Sequence, residues 1–409
     1  MATQIATQPA TASASRHARR ISLCHVTIAH AQMKSRTFHR ICLPMAHAGI
    51  RIHFVSPANP TLDYDDMDFT RIPARTGLLG GIGQSLRVLR ELIRKDASFY
   101  HFQDPELLPV AFVLKLLFAR RVIYDAYEDF PSMAAASKSI PRAARPLAAA
   151  IMRFAEWLAA HCFDAVVTAD PFTLRRLART GKSRKLVFYN FPNMELFPEP
   201  SLAPAPKSFD IVYRGGLSDR AGTFTLLRAI QMLKSDSRQP RLLLIGYFDD
   251  PQGRREIENR IRTLGLQSNV EIRGRIDHES MAEALAAARI GVCPLEAVPK
   301  FLLNIPVKVF EYWACGLPVV STNLPPIRPF FRNSGAGLLC EPGDAGALAK
   351  SIAFLLDHAE AAAQMGARGR ELTTTRLNNK AEIHKLIRML RQIAGPLLVA
   401  EEEALATHA

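Results

Sequence analysis

Two short stretches in the second half of the chain hold residues suited to gripping a phosphorylated ligand. In Asn304-Ile305-Pro306-Val307-Lys308-Val309-Phe310-Glu311-Tyr312-Trp313-Ala314-Cys315-Gly316, a proline opens a helix and a glycine closes it. Lys308 and Glu311 are three residues apart and share one helix face. A lysine near a helix N-terminus meets phosphate, and a carboxylate one turn on accepts ribose hydroxyls, so the pair suits a nucleotide. A surface ion pair would give the same spacing. The second stretch is Arg214-Gly215-Gly216-Leu217-Ser218-Asp219-Arg220-Ala221-Gly222, between an apolar strand and a helix. Glycines at a strand-to-helix turn let backbone N–H groups approach a phosphate, and the helix N-terminus favours the anion. Arg214 and Arg220 add charge and bidentate hydrogen bonds. A glycine-rich turn in any α/β protein would look alike.

These residues need a scaffold, and apolar runs alternate with helical patterns along most of the chain. Strands are expected at Ile21–Ile28, Ile50–Ser56, Ser98–Phe102, Arg121–Asp125, Ala165–Thr168 and Lys185–Tyr189. Helices are expected at Thr37–Ala48, Pro105–Phe118, Ala143–His161 and Pro171–Thr180. Asn193–Ser208 has several prolines and no period, and reads as a linker. The alternation then restarts with strands Phe209–Tyr213, Arg241–Ile245, Val270–Arg273, Ile290–Pro294, Pro318–Thr322 and Gly337–Cys340. The intervening helices are Thr223–Leu233, Gln252–Leu264, His278–Ala287, Val307–Ala314 and Ala345–Leu356, with Asn378–Ile393 last. The pattern predicts an α/β protein of two doubly wound, Rossmann-like domains, 21–200 and 206–376, facing across a cleft. A helix over 377–395 crosses back, a basic unstructured tail covers 1–20, and a second tail covers 396–409.

The chain has 409 residues and a formal net charge of +14, which asks for an anionic partner. Arg87, Arg90, Arg94 and Lys95 cluster, as do Arg142, Arg145 and Arg153, and then Arg175, Arg176, Arg179, Lys182, Arg184 and Lys185. Solvated helix faces or a basic membrane-facing surface would both explain them. No nucleic-acid-binding motif accompanies the charge, so nucleic acid is not an expected partner. The six scattered cysteines lack ligand spacing, so no metal site is expected and the thiols read as reduced. Residues 1–20 lack the apolar core of a signal peptide. The apolar run Leu107–Phe118 is too short to span a bilayer. Arg145–Phe163 carries Arg153 and Glu156 and reads as an amphipathic helix, with any membrane contact peripheral.

The 304–322 stretch resembles the signature of glycosyltransferase family four, whose members share the GT-B fold. Arg214–Gly222 resembles that family's phosphate loop, which puts Gly215 and Gly216 in the donor site. Leu244-Ile245-Gly246 and Ile272-Arg273-Gly274 resemble its next two strand ends, which puts Gly246 in the donor site and Arg275 and Ile276 beside the base. His25-Val26-Thr27 followed by Ser35-Arg36-Thr37-Phe38 resembles the first strand and loop of a subgroup, and His101–Pro109 and Tyr124–Asp129 resemble its acceptor-side motifs. The resemblance runs from about residue 21 to 393. It implies an enzyme, a hexosyltransferase-class glycosyltransferase, that moves a sugar from a UDP- or GDP-sugar with retention and without a metal or other cofactor. Lys308, with Arg214 or Arg220, would steady the leaving diphosphate, and Glu311 would orient the ribose. His101 and Asp104 would touch the transferred sugar or the acceptor; a strand-end cap with a structural histidine is the other reading of that pair. Many family members carry a second glutamate, separated by seven intervening residues from the one matching Glu311. Here the count reaches Leu303, so Asn304 or backbone amides would hold the sugar. The basic residue usual before the loop's last glycine is Ala221 here, with Arg220 one place earlier. The implied acceptor is a lipid-diphosphate-linked saccharide of cell-surface or exopolysaccharide assembly. The implied location is cytoplasmic, peripheral at the inner membrane face on anionic lipid. A sugar-nucleotide epimerase of the same architecture and a non-catalytic assembly scaffold remain the alternatives.

Overall fold

The structure is a computed structural model describing residues 21–28, 35–57, 66–72, 77–137, 139–178, 183–199, 207–235, 237–248, 250–277 and 280–395. The two expected tails, residues 200–206 of the proline-rich stretch, Arg179, Lys182 and the expected helix start at His278 lie outside the described residues.

The chain divides into two compact units. The first comprises the chain up to Thr168, Leu174–Val187 and the chain from Ile383 onward. The second comprises Ala169–Thr173 and Phe188–Glu382.

The first unit is built on strands β1 (Ser22–Val26), β2 (Arg51–Ser56), β3 (Met67–Arg71), β4 (Phe99–Phe102), β5 (Val122–Ala126), β6 (Ala165–Thr168) and β7 (Arg184–Val187). They form one parallel sheet in the order β3-β2-β1-β4-β5-β6-β7. β1, β4, β5 and β6 are buried throughout, as expected when helices cover both faces. The connecting helices are α1 (Leu43–His47), α2 (Gly77–Arg94), α3 (Leu108–Leu117), α4 (Phe130–Ala136), α5 (Arg145–Cys162) and α6 (Pro171–Ala178), of which α6 starts in the second unit. A π-helical stretch, Ser35–Cys42, leads into α1. β3 and α2 lie between residues 57 and 97, where the apolar periodicity announces neither.

The second unit holds β8 (Phe209–Leu217), β9 (Leu242–Phe248), β10 (Val270–Arg273), β11 (Ala288–Cys293), β12 (Val319–Thr322) and β13 (Gly337–Cys340). They form a second parallel sheet in the order β10-β9-β8-β11-β12-β13. Its helices are α7 (Thr223–Leu233), α8 (Pro251–Thr263), α9 (Met281–Ala286), α10 (Val307–Ala314), α11 (Arg328–Phe331), α12 (Ala345–Asp357) and α13 (Ala359–Thr375). The last helix, α14 (Asn379–Ala394), begins in the second unit and ends in the first. Each sheet reverses its winding beside its first strand, β1 or β8, the doubly wound arrangement expected from the βα alternation.

Two expectations are corrected. Arg214-Gly215-Gly216-Leu217 is not the turn after a strand but the end of β8 itself, with Gly215 paired to Gly246 and Gly216 to Tyr247. The turn that follows is Ser218–Gly222, closed by bonds from Gly222 N to Asp219 O and from Thr223 N to Ser218 O. The proline-rich stretch is not linker throughout: Met194–Leu196 forms a 3-10 turn and Phe197 sits 2% exposed in the core of the second unit. Burial of one phenylalanine is worth about 1.5–3 kcal/mol, enough to hold that end of the segment down.

Candidate functional site

Helix α10 is apolar on nearly every side. Val309, Phe310, Tyr312, Trp313 and Ala314 are buried in the core of the second unit. Phe310 meets Phe191 at 4.8 Å and Phe330 at 4.9 Å between ring centres, and Trp313 Nε1 donates to Ala336 O at 2.9 Å. A helix fixed this firmly presents its first turn with little freedom, and Lys308 sits in that turn.

The Lys308 ammonium donates to the Tyr213 hydroxyl at 3.1 Å and lies 4.2 Å from the centre of its ring. The Tyr213 hydroxyl in turn donates to Gly216 O at 2.8 Å. Burial raises the Tyr213 pKa, with Lys308 pulling the other way, so the group stays a neutral phenol at ordinary pH. Gly215 has φ +143°, and a Cβ there would come within 2.8 Å of Lys308 Nζ. A glycine at this position therefore lets the ammonium lie against the end of β8.

Glu311 has no exposed side-chain surface and pairs with Arg214 Nη1 at 2.9 Å. Arg214 N also donates to the Tyr312 hydroxyl at 2.8 Å, and that hydroxyl donates to Val292 O at 3.2 Å. Burial holds the Tyr312 pKa well above the usual phenol value. Thus two tyrosines that the motif reading did not assign, Tyr213 and Tyr312, tie α10 to the end of β8. Their signal in the sequence was a hydroxyl at the end of an apolar strand and another inside an apolar helix.

The other expected donor-site residues lie on neighbouring segments of the second unit. Gly246 meets Gly215 in register. Arg275 is exposed, and its guanidinium lies 4.6 Å from the centre of the Tyr247 ring. Tyr247 is 45% exposed and packs beside Gly216. Asn304 is partly buried and its N–H donates to Lys300 O at 3.1 Å. Ala221 is 4% exposed within the core, which explains why a basic side chain is not found there, whereas neighbouring Arg220 is exposed.

Gly222 caps α7 with φ +76°, and a Cβ on it would fall 1.6 Å from Pro294 O. Gly222→Ala should therefore destabilise the second unit by about 2–4 kcal/mol, from left-handed strain plus overpacking. Urea unfolding checks this; an unchanged midpoint would contradict the close approach.

His101 and Asp104 belong to the first unit. Both are 2% exposed. The parallel register sets His101 beside His25, and their Nδ1 atoms are 2.8 Å apart. His101 Nε2 lies 3.7 Å from the Asp125 carboxylate, which also accepts from Gln103 Nε2 at 2.8 Å. Thr37 donates to Gln103 Oε1. Asp104 Oδ2 accepts from Thr27 Oγ1 at 2.8 Å and Ile28 N at 2.6 Å, holding these two residues just beyond β1. His25, Thr27, Thr37, Gln103 and Asp125, all 5% exposed or less, complete this buried polar network at the carboxyl ends of β1, β4 and β5.

Several known proteins are similar to this chain. Residues 199–372 match the family model described as glycosyl transferases group 1. The chain is 28% identical over 159 residues to the phosphatidyl-myo-inositol mannosyltransferase of Mycobacterium leprae, a match covering 38% of this chain and 40% of that protein. It is 29% identical over 156 residues to the GDP-mannose-dependent monoacylated alpha-(1-6)-phosphatidylinositol monomannoside mannosyltransferase of Corynebacterium glutamicum, covering 38% and 39%. The matches thus span about two fifths of these curated relatives. Among solved structures, sucrose-phosphate synthase from Thermosynechococcus elongatus superposes with a TM-score of 0.72 at 21% identity, over 91% of this chain and 99% of that one. Anabaena HepE in complex with UDP-glucose gives 0.69 at 16% identity, over 91% and 99%. No helix among the described residues is long and apolar enough to cross a membrane. Two parallel doubly wound sheets give the chain the GT-B fold, and residues 199–372, within its second unit, carry the match to the group 1 glycosyl transferases.

Proposed function

We propose that the chain transfers a sugar, with retention, from a UDP- or GDP-sugar to a lipid-diphosphate-linked saccharide in cell-surface or exopolysaccharide assembly. The observation that carries this is the Lys308 ammonium, braced by Tyr213 against the end of β8 at the first turn of α10. A preplaced cation at a helix N-terminus suits a diphosphate whose β-phosphate gathers charge as the glycosidic bond breaks. Arg214 and Arg220 are the further cations at that strand end. Glu311 receives the ribose hydroxyls, with its carboxylate aimed by Arg214. Asn304 and backbone amides hold the sugar, Gly215, Gly216 and Gly246 line the diphosphate, and Arg275 lies beside the base. His101 and Asp104 act on the acceptor side, Asp104 through Thr27 and Ile28, which it holds just beyond β1. Two relatives named for mannosyl transfer to phosphatidylinositol lipids, one of them GDP-mannose-dependent, support the donor class and a lipid acceptor. A solved neighbour in complex with UDP-glucose supports a UDP-sugar equally. The proposed location is the inner face of the cell membrane, reached from the cytoplasm.

A panel of UDP- and GDP-sugars read by thermal shift tests the donor. A ligand at about 100 times its Kd adds about 2.7 kcal/mol to stability and raises the melting temperature. Failure of every sugar nucleotide to do so would overturn the reading. Isomerised sugar appearing without an acceptor would instead identify an epimerase. Because the protein's own cations take the leaving-group role, turnover should persist in EDTA; loss of turnover there, restored by a divalent ion, would remove that role from Lys308.

A further inference from the structure

Helix α5 has its polarity reversed relative to a helix that only has to be soluble. The usual surface helix turns its apolar stripe inward and its charges outward. Here the one acidic side chain, Glu156, points inward with no exposed surface, pairs with Arg176 at 2.5 Å and accepts from the Tyr124 hydroxyl at 3.2 Å. The outward face carries Leu147, Ile151, Phe154 and Trp157, exposed by 65, 60, 60 and 41%. Their spacing of four, three and three residues keeps them on one side. The Phe154 and Trp157 rings stack with centroids 5.6 Å apart. The end of α3 carries two further exposed apolar side chains, Leu117 and Phe118, exposed by 76 and 42%. It is tied to the end of α5 by Lys115–Asp164 at 2.8 Å and by the Phe112 and Phe163 rings at 4.6 Å.

Charge decides between occupants. Glu156 is the only acidic residue between 130 and 163, and it faces inward. Arg142 and Arg153 are both exposed. An apolar stripe rich in aromatic residues, flanked by arginines and free of outward acid, matches the boundary of an anionic bilayer in both its layers. A protein partner or a second copy would use the stripe but would not ask for this charge.

We propose that the outward face of α5 docks on an anionic lipid surface, with Phe154 and Trp157 entering the headgroup boundary and Arg142 and Arg153 meeting lipid phosphates. The inference rests on the lipid-linked acceptor reading only for its purpose. Its readout needs no turnover, so the two can fail separately.

Of the two tryptophans, Trp313 is fully buried, so Trp157 is the reporter. When the full-length protein is titrated with vesicles of phosphatidylcholine and phosphatidylglycerol in equal parts, Trp157 emission should move to the blue and the protein should sediment with the vesicles. Phosphatidylcholine alone, or high salt, should weaken binding by at least about tenfold. Ile151→Ser with Phe154→Ser should weaken it by at least about tenfold while thermal unfolding stays put, because both side chains are exposed. Arg142→Glu with Arg153→Glu should remove the preference for anionic lipid. No blue shift and no sedimentation, or equal binding by the serine variant, would overturn the proposal. So would a dimer in solution that the serine substitutions dissolve, which assigns the face to a second copy. Vesicle binding that appears only after deletion of residues 396–409 would assign the face to that segment of the chain instead.

Discussion

Replacing Lys308 with alanine should lower kcat by about 10²–10³, equivalent to about 2.7–4 kcal/mol of lost transition-state stabilisation, and leave the fold intact. The fold is spared because Lys308 contributes only one hydroxyl contact and one ring face, both to Tyr213, and is itself partly exposed. Such contacts are worth about 1 kcal/mol or less at a partly solvated site. Turnover suffers because nothing else in that first turn carries charge: the remaining helix residues are Val307, Val309 and Phe310 before Glu311. Arginine is no substitute. The ammonium lies where a Cβ on Gly215 would be within 2.8 Å, a slot for a compact charge rather than a planar fork. Steady-state kinetics with circular dichroism on the same sample checks both halves. Wild-type turnover in Lys308→Ala would remove the central assignment, and an unfolded variant would show that the lysine is structural.

Arg214→Met should cost about 2–3 kcal/mol of stability. Breaking a fully buried ion pair costs about 3–5 kcal/mol and a surface pair about 0–1. Here Glu311 is completely buried whereas Arg214 keeps 28% of its side chain exposed, so a value between those limits is expected. Arg214→Met combined with Glu311→Leu should recover most of the loss, since apolar groups of similar volume replace the whole pair. That double variant should still fail to show a thermal shift with the donor, because the carboxylate proposed for the ribose has gone. Glu311→Ala alone should raise the donor concentration needed for half-maximal rate. If Arg214→Met unfolds at the wild-type urea midpoint, the pair is not what fixes Glu311. If Glu311→Ala leaves donor affinity unchanged, the ribose role is lost.

These two predictions draw on different levels of information. The local signals around Lys308 were strong enough to bound their element from the sequence alone. Pro306 ahead and Gly316 behind delimit the helix, and the structure places it at Val307–Ala314. Likewise Thr223–Leu233, Val270–Arg273 and Gly337–Cys340 form where apolar period and turn residues indicate. The βα alternation was enough to specify two parallel, doubly wound sheets, because parallel strands need a crossover helix.

Other features depend on which segments meet. Gly215 and Gly216 read locally as a turn, yet they continue β8 because β9 offers Gly246 and Tyr247 in register. The short strand Met67–Arg71 is half polar and gains its pairing only from β2. Neither Tyr213 nor Tyr312 announces a role until β8 and α10 are brought together. The contact of His25 with His101 spans 76 residues and follows from the parallel register of β1 and β4. It draws His101 and Asp104 into a network that hides both from solvent.

Helix α5 states the division most simply. Its sequence determined that Arg145–Phe163 would be a helix with unlike faces, because periodicity is a property of the chain. Which face turned inward was decided by Arg176 and Tyr124, which draw Glu156 into the interior and leave Phe154 and Trp157 outside. Periodicity measures the angle between residues on one helix; only the neighbours packed against that helix supply the direction.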